Sequence, residues 1–128
     1  MTKNFMIYIA GPIGNGGKIK DNNAVHLNVL KAEAIMKELM LKGYSPICPH
    51  LSYYCWRNWM ENENFDMGWE HWMRIDKEFV HASDYFFYMK PEIYGESKGA
   101  KLELEQAKRE GKTIFTSLDE VPNIEIKI

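Results

Sequence analysis

Short apolar runs alternate along this chain with segments of helical periodicity. Residues 5–10 (FMIYIA) form a continuous apolar run that stops at a glycine, and residues 44–49, 84–89 and 113–117 are similar. Runs bounded in this way are typical of strands buried on both faces of a sheet. The segments 21–43, 68–82 and 96–111 instead repeat apolar residues every three or four positions, which predicts amphipathic helices.

The first of these helices is the longest. Asp21, Asn22 and Asn23 are candidates for its N-cap, and Gly43 suits the left-handed residue that ends many helices. The inner face is predicted from the apolar spacing to consist of Val25, Val29, Ala32, Met36, Leu39 and Met40.

Two segments do not fit the simple alternation. Residues 50–68 are rich in Tyr and Trp, and we predict a long functional loop there, because aromatic residues argue against disorder. The tail 123–128 (NIEIKI) alternates apolar and polar residues, which predicts an edge strand.

The resulting order, β-α-β-α-β-α-β-β, predicts one α/β domain over residues 1–128. We expect a three-layer sandwich with a mostly parallel, Rossmann- or flavodoxin-like sheet of about five strands. Ligands of such sheets bind beyond the carboxyl ends of the strands. The residues that follow Ala10, Pro49, Met89 and Ser117 are therefore the candidates for a site.

Composition removes several classes of function. The chain of 128 residues has a net charge of −2 and no basic patch, so duplex nucleic acid is not an expected partner. No apolar run is long enough for a bilayer, no signal peptide is predicted, and two cysteines are too few for a disulfide framework. We therefore expect a soluble cytoplasmic protein with no membrane partner.

Metal and cofactor chemistry is also not predicted. The four histidines and two cysteines show no metal-ligand spacing, and no Rossmann fingerprint is present; these residues are His26, His50, His71, His81, Cys48 and Cys55. Ser52 has no surrounding pattern of a nucleophile elbow. We expect no metal site and no cofactor.

Two carboxylates interrupt apolar helix faces. Glu103 lies on the stripe of Ala100 and Leu104, and Asp76 lies in the middle of the stripe of the preceding helix. An unpaired buried carboxylate costs several kcal/mol, so each acid needs a cation, hydrogen bonds, a raised pKa or a cavity. Simple pairing with Arg74, Lys77 or Lys101 is one interpretation; a shared site is the other. Two carboxyl groups at one site are the tools of glycosidic chemistry.

Two further features concern phosphate. The loop 11–18 (GPIGNGGK) is rich in glycine but lacks Walker spacing, and both phosphate contact and a tight turn remain open for it. Ser97 can cap the helix that carries Glu103, and Gly99 leaves backbone amides open there. A helix N-terminus attracts phosphate, so a plain cap and a ligand contact are both compatible with Ser97.

Three segments together resemble the nucleoside 2-deoxyribosyltransferase-like superfamily. The segment IYIAGP is similar to its opening Tyr-x-x-Gly, and DKEFVHASD is similar to its Asp-helix-Asp segment. SKGAKLELEQAKREGKTIF is similar to its Ser-x-Gly-x-x-x-Glu helix with the following strand. That group includes nucleoside deoxyribosyltransferases, deoxynucleoside 5′-monophosphate N-glycosidases and many small phage and bacterial proteins.

The resemblance implies a role for each matching residue. Glu103 would be the nucleophile that takes the deoxyribosyl group, Asp76 would assist the leaving base, and Tyr8 would orient Glu103. Substrate would be held by the loop at Gly11 and Pro12 and by Ser97 and Gly99. Pro12 stands where the monophosphate N-glycosidases commonly have a hydroxyl residue, so the 5′ group stays open. Asp84 is predicted to have a structural capping role.

The resemblance also implies partners. The ligand would be a small deoxynucleoside or deoxynucleotide, and the protein would form a homo-oligomer, a dimer or larger. The aromatic segment is not part of the family pattern; its tryptophans could stack on a base, and we take Trp56 as the candidate. Cleavage or exchange of an N-glycosidic bond is the predicted function, and a nucleotide-binding module without turnover is the alternative.

Overall fold

The centre of the fold is a sheet of four short parallel strands. The computed structural model describes residues 4–13 and 22–126, without the side chains of residues 22 and 23. The strands are β1 (Met6–Ala10), β2 (Ser45–Ile47), β3 (Tyr85–Tyr88) and β4 (Thr113–Phe115), in the spatial order β2-β1-β3-β4. Every pairing is parallel. The α/β fold with a parallel sheet is thereby confirmed.

Helices cover both faces of this sheet. They are α1 (Asn22–Leu41), α2 (Ser52–Glu63), α3 (Trp69–Ala82), α4 (Pro91–Tyr94) and α5 (Lys98–Arg109), with short 3₁₀ turns at Pro49–Leu51 and Leu118–Glu120. Because side chains alternate along a strand, Ile7 and Ile9 of β1 pack with α1, whereas Tyr8 and Ala10 pack with α3 and α5. The result is the expected three-layer sandwich.

The aromatic segment differs from its prediction as a loop. Residues 52–63 form helix α2, and Asn64 ends it in the left-handed conformation with φ 49°. Tyr53 is buried against Val25 and Val29 of α1. The sequence obscured this helix because its aromatic side chains contact one another within α2, and Trp59 also stacks on Trp72 of α3, so no simple stripe faces the core.

The predicted fifth strand is wrong over residues 123–126, which have no strand structure; residues 127 and 128 lie outside the described chain. The N–H of Ile124 instead donates to the carbonyl oxygen of Lys42 at 2.8 Å, and the Tyr44 hydroxyl donates to the carbonyl oxygen of Pro122 at 2.9 Å. The tail is therefore fixed against the turn that ends α1, although the alternation of its residues suits a strand.

The inner face of α1 is largely as predicted. Val25, Val29, Ala32 and Leu39 are fully buried, together with Ile35. Met40 was wrongly placed there and is 53% exposed. Asn22 begins the helix, so Asn22 and Asn23 are not its N-cap, and Asp21 lies outside the described residues.

The end of α1 gives a testable prediction about stability. Gly43 has φ +102°, and a Cβ atom there would lie 2.5 Å from the carbonyl oxygen of Ile124. We expect Gly43→Ala to lower the free energy of unfolding by about 2 kcal/mol. The matched control is Gly111→Ala, where φ is +70° but no atom lies within 4 Å of the added Cβ. Urea unfolding should show a smaller loss for the control, about 1 kcal/mol; equal losses would contradict the contact with Ile124.

Candidate active site

The centre of the candidate site is a hydrogen bond between β1 and α5. The Tyr8 hydroxyl donates to Oε2 of Glu103 at 2.8 Å. Tyr8 is fully buried and stacks on Phe86 of β3, with ring centroids 5.7 Å apart, and Glu103 is only 6% exposed. The ring is therefore fixed by packing, and its hydroxyl fixes one oxygen of the carboxyl group.

Asp76 of α3 is the third member of this cluster. Its charge acts on Glu103, and the Tyr8 hydroxyl lies near it. Burial raises the pKa of Asp76 to about 6, although the Tyr8 hydroxyl opposes the change. Burial and then the charge of Asp76 raise the pKa of Glu103 to about 8. At neutral pH the two carboxyl groups therefore hold one proton between them.

Simple ion pairing of these acids is excluded for the residues that the structure describes. Arg74 and Lys77 flank Asp76 in sequence and Lys101 is near Glu103, but none of these cations is among the groups that set the pKa of either acid. A paired carboxylate would have a lowered pKa. Among the described residues neither acid forms an ion pair with a cation, and burial raises both pKa values.

These raised values predict how stability depends on pH. A carboxyl group whose pKa is higher in the folded protein than in the unfolded chain stabilises the fold when protonated, and that contribution is lost as the pH rises through the folded pKa. For Glu103 the loss extends from about 4.5 to about 8. We expect the unfolding free energy to fall between about pH 4.5 and about pH 8. Urea titrations should show a smaller fall in Glu103→Gln, and an unchanged slope would contradict the burial of this charge.

Helix α5 places Glu103 through its N-cap. The Ser97 hydroxyl accepts a hydrogen bond from the N–H of Ala100 at 3.1 Å, which is the capping geometry predicted for this residue. One turn after Ala100, Glu103 points to the same buried side. At Gly99 an added Cβ would lie 3.1 Å from Sδ of Met73, so glycine lets α3 and α5 approach closely above the carboxyl groups.

The loop after β1 lies at the carboxyl edge of the sheet. Gly11 packs against Met89 so closely that a Cβ atom would overlap its side chain, and Pro12 is buried. The close contact with Met89 therefore explains why position 11 is a glycine. The rest of the glycine-rich loop, residues 14–18, lies outside the described chain, and its predicted phosphate contact stays a prediction.

His50 is a residue of this region that the sequence reasoning missed. It is fully buried beside the backbone of Gly11 and Pro12, and its Nε2 atom has no hydrogen-bond partner among the described residues. Burial lowers its pKa to about 4, against the effect of those backbone groups, so the ring is neutral at physiological pH. Its position just after β2, at the carboxyl edge, was the available signal.

Trp56, in contrast, is not brought to the carboxyl groups. Its ring stacks on Tyr53, and its Nε1 donates to Oδ1 of Asp66 at 3.1 Å. Trp59 and Trp72 stack on each other. Trp69 is the tryptophan beside the N-terminus of α5: it is half-exposed, and its Nε1 would lie 3.7 Å from a Cβ on Gly99.

A groove reaches Glu103 from outside the sandwich. It lies between α3 and α5, has a volume of about 290 Å³, and Met73, Arg74, Lys77 and Arg109 are among the residues that line it with Glu103. This volume is at the lower end of the range of small-molecule sites.

Among residues 4–13 and 22–126, no three His, Cys, Asp or Glu side chains are grouped so that they could hold a metal ion.

Asp84 lies outside the site. Its Oδ2 accepts a hydrogen bond from the N–H of Met6 at 2.9 Å, at the start of β1 and therefore at the opposite edge of the sheet. This contact supports the structural role predicted for Asp84.

No described helix is both long and apolar enough to cross a lipid bilayer.

The fold and the site together define a class: an α/β protein with a parallel Rossmann-like sheet and a buried cluster of one tyrosine and two carboxyl groups. The chain belongs to the family described as "Domain of unknown function (DUF7768)", which matches residues 6–117. That range includes Tyr8, Asp76 and Glu103. No curated protein matches the chain.

Proposed function

We propose that this protein cleaves or exchanges the N-glycosidic bond of a 2′-deoxynucleoside or of its 5′-monophosphate. Glu103 attacks C1′ of the sugar, the bond from C1′ to the base nitrogen breaks, and a glycosyl ester forms on Glu103. Water or a second base then attacks C1′ and releases the carboxylate. The observation that carries the proposal is the hydrogen bond from Tyr8 to a buried Glu103, which has Asp76 nearby and forms no ion pair with a described cation.

The division of labour follows from the surroundings of the two acids. Glycosidic chemistry needs one carboxylate as nucleophile and one protonated acid for the leaving group. The Asp76–Glu103 pair, with pKa values of about 6 and about 8, holds one proton at neutral pH, which is the required total. The productive state has that proton on Asp76 and the negative charge on Glu103.

Tyr8 favours the ionised form of Glu103, because its hydroxyl donates to Oε2 and this hydrogen bond lowers the pKa of Glu103 against the larger effect of burial. In the free protein the pKa of Glu103, about 8, is higher than that of Asp76, about 6, so the shared proton is mainly on Glu103. The reaction therefore requires this proton to pass to Asp76 once substrate is bound, and the Tyr8 hydroxyl then stabilises the carboxylate of Glu103.

The surrounding residues would hold the substrate. Ser97 and Gly99 lie at the N-terminus of α5, next to the cluster, and Gly11 and Pro12 lie at the end of β1. These four are proposed to contact the sugar and its 5′ substituent. For the base, Trp69 has the better position than Trp56, because it lies on the same helix as Asp76 and beside Gly99. Lys98 lies over the Trp69 ring at 5.5 Å in the free protein.

A substrate panel tests the proposal. The protein is incubated with each deoxynucleoside and each deoxynucleoside 5′-monophosphate, with and without a second free base, and released or exchanged base is measured by chromatography. Ribonucleosides serve as the matched control for the 2′ position. Release of base supports a hydrolase, and exchange supports a transferase. Tight binding of a nucleotide with no turnover on any substrate would contradict the proposal and favour a binding module.

A further inference from the structure

Gln106 of α5 is a polar side chain on the buried face of its helix. It is 6% exposed and lies three residues after Glu103, so the two side chains are neighbours on that face. A buried amide is costly unless its hydrogen-bonding groups have partners. The partners of Gln106 lie on α3 and at the end of α5.

Gln106 connects α5 to α3 at the level of the two acids. Its Nε2 atom donates to the carbonyl oxygen of Lys77 at 3.0 Å and to Oε2 of Glu110 at 2.8 Å, so both amide protons are used. Lys77 directly follows Asp76. Its carbonyl oxygen has two lone pairs and can accept this bond in addition to the one within α3. The bond therefore joins the backbone next to Asp76 to a side chain about one turn after Glu103.

A second contact between the helices lies on the other side of the acids. At Gly99 an added Cβ atom would lie 3.1 Å from Sδ of Met73, so α3 and α5 are also close near their N-termini. Asp76 and Glu103 each follow this contact along their own helix and precede the bond made by Gln106. The two acids thus lie between two points at which α3 is held against α5.

One further bond between these helices lies nearer to solvent. Nδ1 of His81 is 2.9 Å from Oε1 of Glu110, but the His81 side chain is largely exposed. Exposed pairs of this kind contribute little to stability and are weakened by salt. The buried bond of Gln106 is therefore the one expected to fix the position of α3 relative to α5.

No hydrogen bond joins Asp76 to Glu103 among the described residues, so the packing of α3 against α5 decides how far apart the two carboxyl groups lie. We propose that Gln106 is a positioning residue: by holding α3 against α5 it sets the separation of the Asp76 and Glu103 carboxyl groups. As a statement about catalysis this inference rests on the proposed function, in which one proton must be divided correctly between the two groups. A displacement of about 1 Å at such a pair can lower a rate roughly 100-fold.

Carbon-13 NMR of the Glu103 carboxyl carbon tests the separation without any substrate, and Glu103→Gln assigns the resonance. Gln106→Met keeps the length of the side chain but cannot donate to Lys77. The helices should then move apart, and the charge of Asp76 should act more weakly on Glu103. We expect the midpoint of the Glu103 titration, which reports a pKa of about 8 in the wild type, to move down by roughly 1 pH unit. An unchanged midpoint would overturn the inference.

The groups that face Glu103 stay the same in this experiment. Tyr8 from β1 and Asp76 from α3 are the residues whose charge or hydrogen bond acts on it. The other charged residues around the groove are exposed and are not altered by the exchange; they are Glu70, Arg74, Lys77, Glu105 and Arg109. A moved midpoint therefore reports a change in the position of the two acids.

A shorter amide gives a second and milder variant. Gln106→Asn keeps both amide protons but has one methylene group fewer, so it does not reach the Lys77 carbonyl oxygen from the same backbone position. The midpoint should move in the same direction as in Gln106→Met. Circular dichroism confirms that each variant is folded at the temperature of the titration. A folded Gln106→Asn with the wild-type midpoint would contradict the role of this bond.

Two control variants separate positioning from a general loss of stability. Gly43→Ala destabilises the fold at the end of α1, away from the site, and should keep the wild-type midpoint for Glu103. Glu110→Gln retains an oxygen that can accept from Gln106 and leaves the bond to Lys77 intact, so it should keep the midpoint as well. A midpoint that moves equally in Gly43→Ala and in Gln106→Met would overturn the inference.

Kinetics on the best substrate of the panel test the catalytic consequence. Gln106→Met should lower the rate constant by roughly 10- to 100-fold and leave KM within about twofold of wild type. Gly43→Ala and Glu110→Gln should keep the wild-type rate at a temperature at which all variants are folded. A wild-type rate in Gln106→Met would contradict the positioning role. A wild-type protein without turnover would refute the proposed function, whereas the titration would still decide whether Gln106 sets the separation of the acids.

Discussion

Glu103→Gln is expected to lower base release by roughly 10³-fold or more, because glutamine keeps the shape of the side chain but cannot form the glycosyl ester. The Tyr8 hydroxyl can still donate to the amide oxygen, so the geometry of the 2.8 Å bond should survive. Initial rates on the best substrate of the panel give the measurement. Substrate affinity should change far less than the rate constant.

Two controls make this result interpretable. Glu78→Gln changes an exposed carboxylate on α3 that does not line the groove beside Glu103, and it should leave the rate within about twofold of wild type. Glu103→Gln should also unfold at the same or a higher urea concentration than wild type at about pH 8.5, because it removes a buried charge without a counter-charge. Turnover that survives the exchange would remove Glu103 from the reaction; inactivity together with loss of folding would indicate a structural role.

Asp76→Asn has the second-largest expected effect, a loss of roughly 10²- to 10⁴-fold in the rate, because the amide cannot protonate the departing base. The change should also alter the pH dependence. With both acids present, the rate should be bell-shaped, with limbs near the pKa values of about 6 and about 8. In Asp76→Asn the residual rate should rise to a plateau at high pH, since only the ionisation of Glu103 then matters.

The position of the remaining limb adds an independent test. The charge of Asp76 is one of the groups that raise the pKa of Glu103, so the single limb in Asp76→Asn should lie below about pH 8. Glu78→Gln, an exposed substitution on the same helix, is the control and should keep the bell shape. A bell-shaped profile that persists in Asp76→Asn would assign the leaving-group proton to another residue, and His50 would be the first to examine.

Much of the fold followed from sequence pattern alone. The apolar runs predicted all four strands of the observed sheet, and Gly43 marked the end of α1, because buried parallel strands and helix ends carry strong local signals. The predictions that failed concern segments whose residue pattern is compatible with two different structures. In α2 the helical spacing of apolar residues is not evident, because its aromatic side chains pack against one another. The tail 123–126 alternates apolar and polar residues like a strand, but a backbone hydrogen bond holds it against Lys42.

The site divides in the same way. Glu103 and Asp76 were visible because a carboxylate on an apolar helix stripe needs a physical reason, and the structure places both beside Tyr8. For His50 the only signal was its position after β2, and a lone histidine after a strand is ordinary in sequence. Trp56 was chosen among four tryptophans with no pattern to separate them; only the packing shows that Trp69 is the one next to α5.

Intact-mass spectrometry of the acid-quenched reaction tests the central assignment most directly. During turnover on the best substrate, a fraction of the protein should gain the mass of one deoxyribosyl group, and peptide mapping should locate that group on Glu103. Glu103→Gln should show no such addition under the same conditions. A modified peptide that lacks Glu103, or rapid base release with no adduct at any quench time, would contradict the account of Glu103 as the nucleophile.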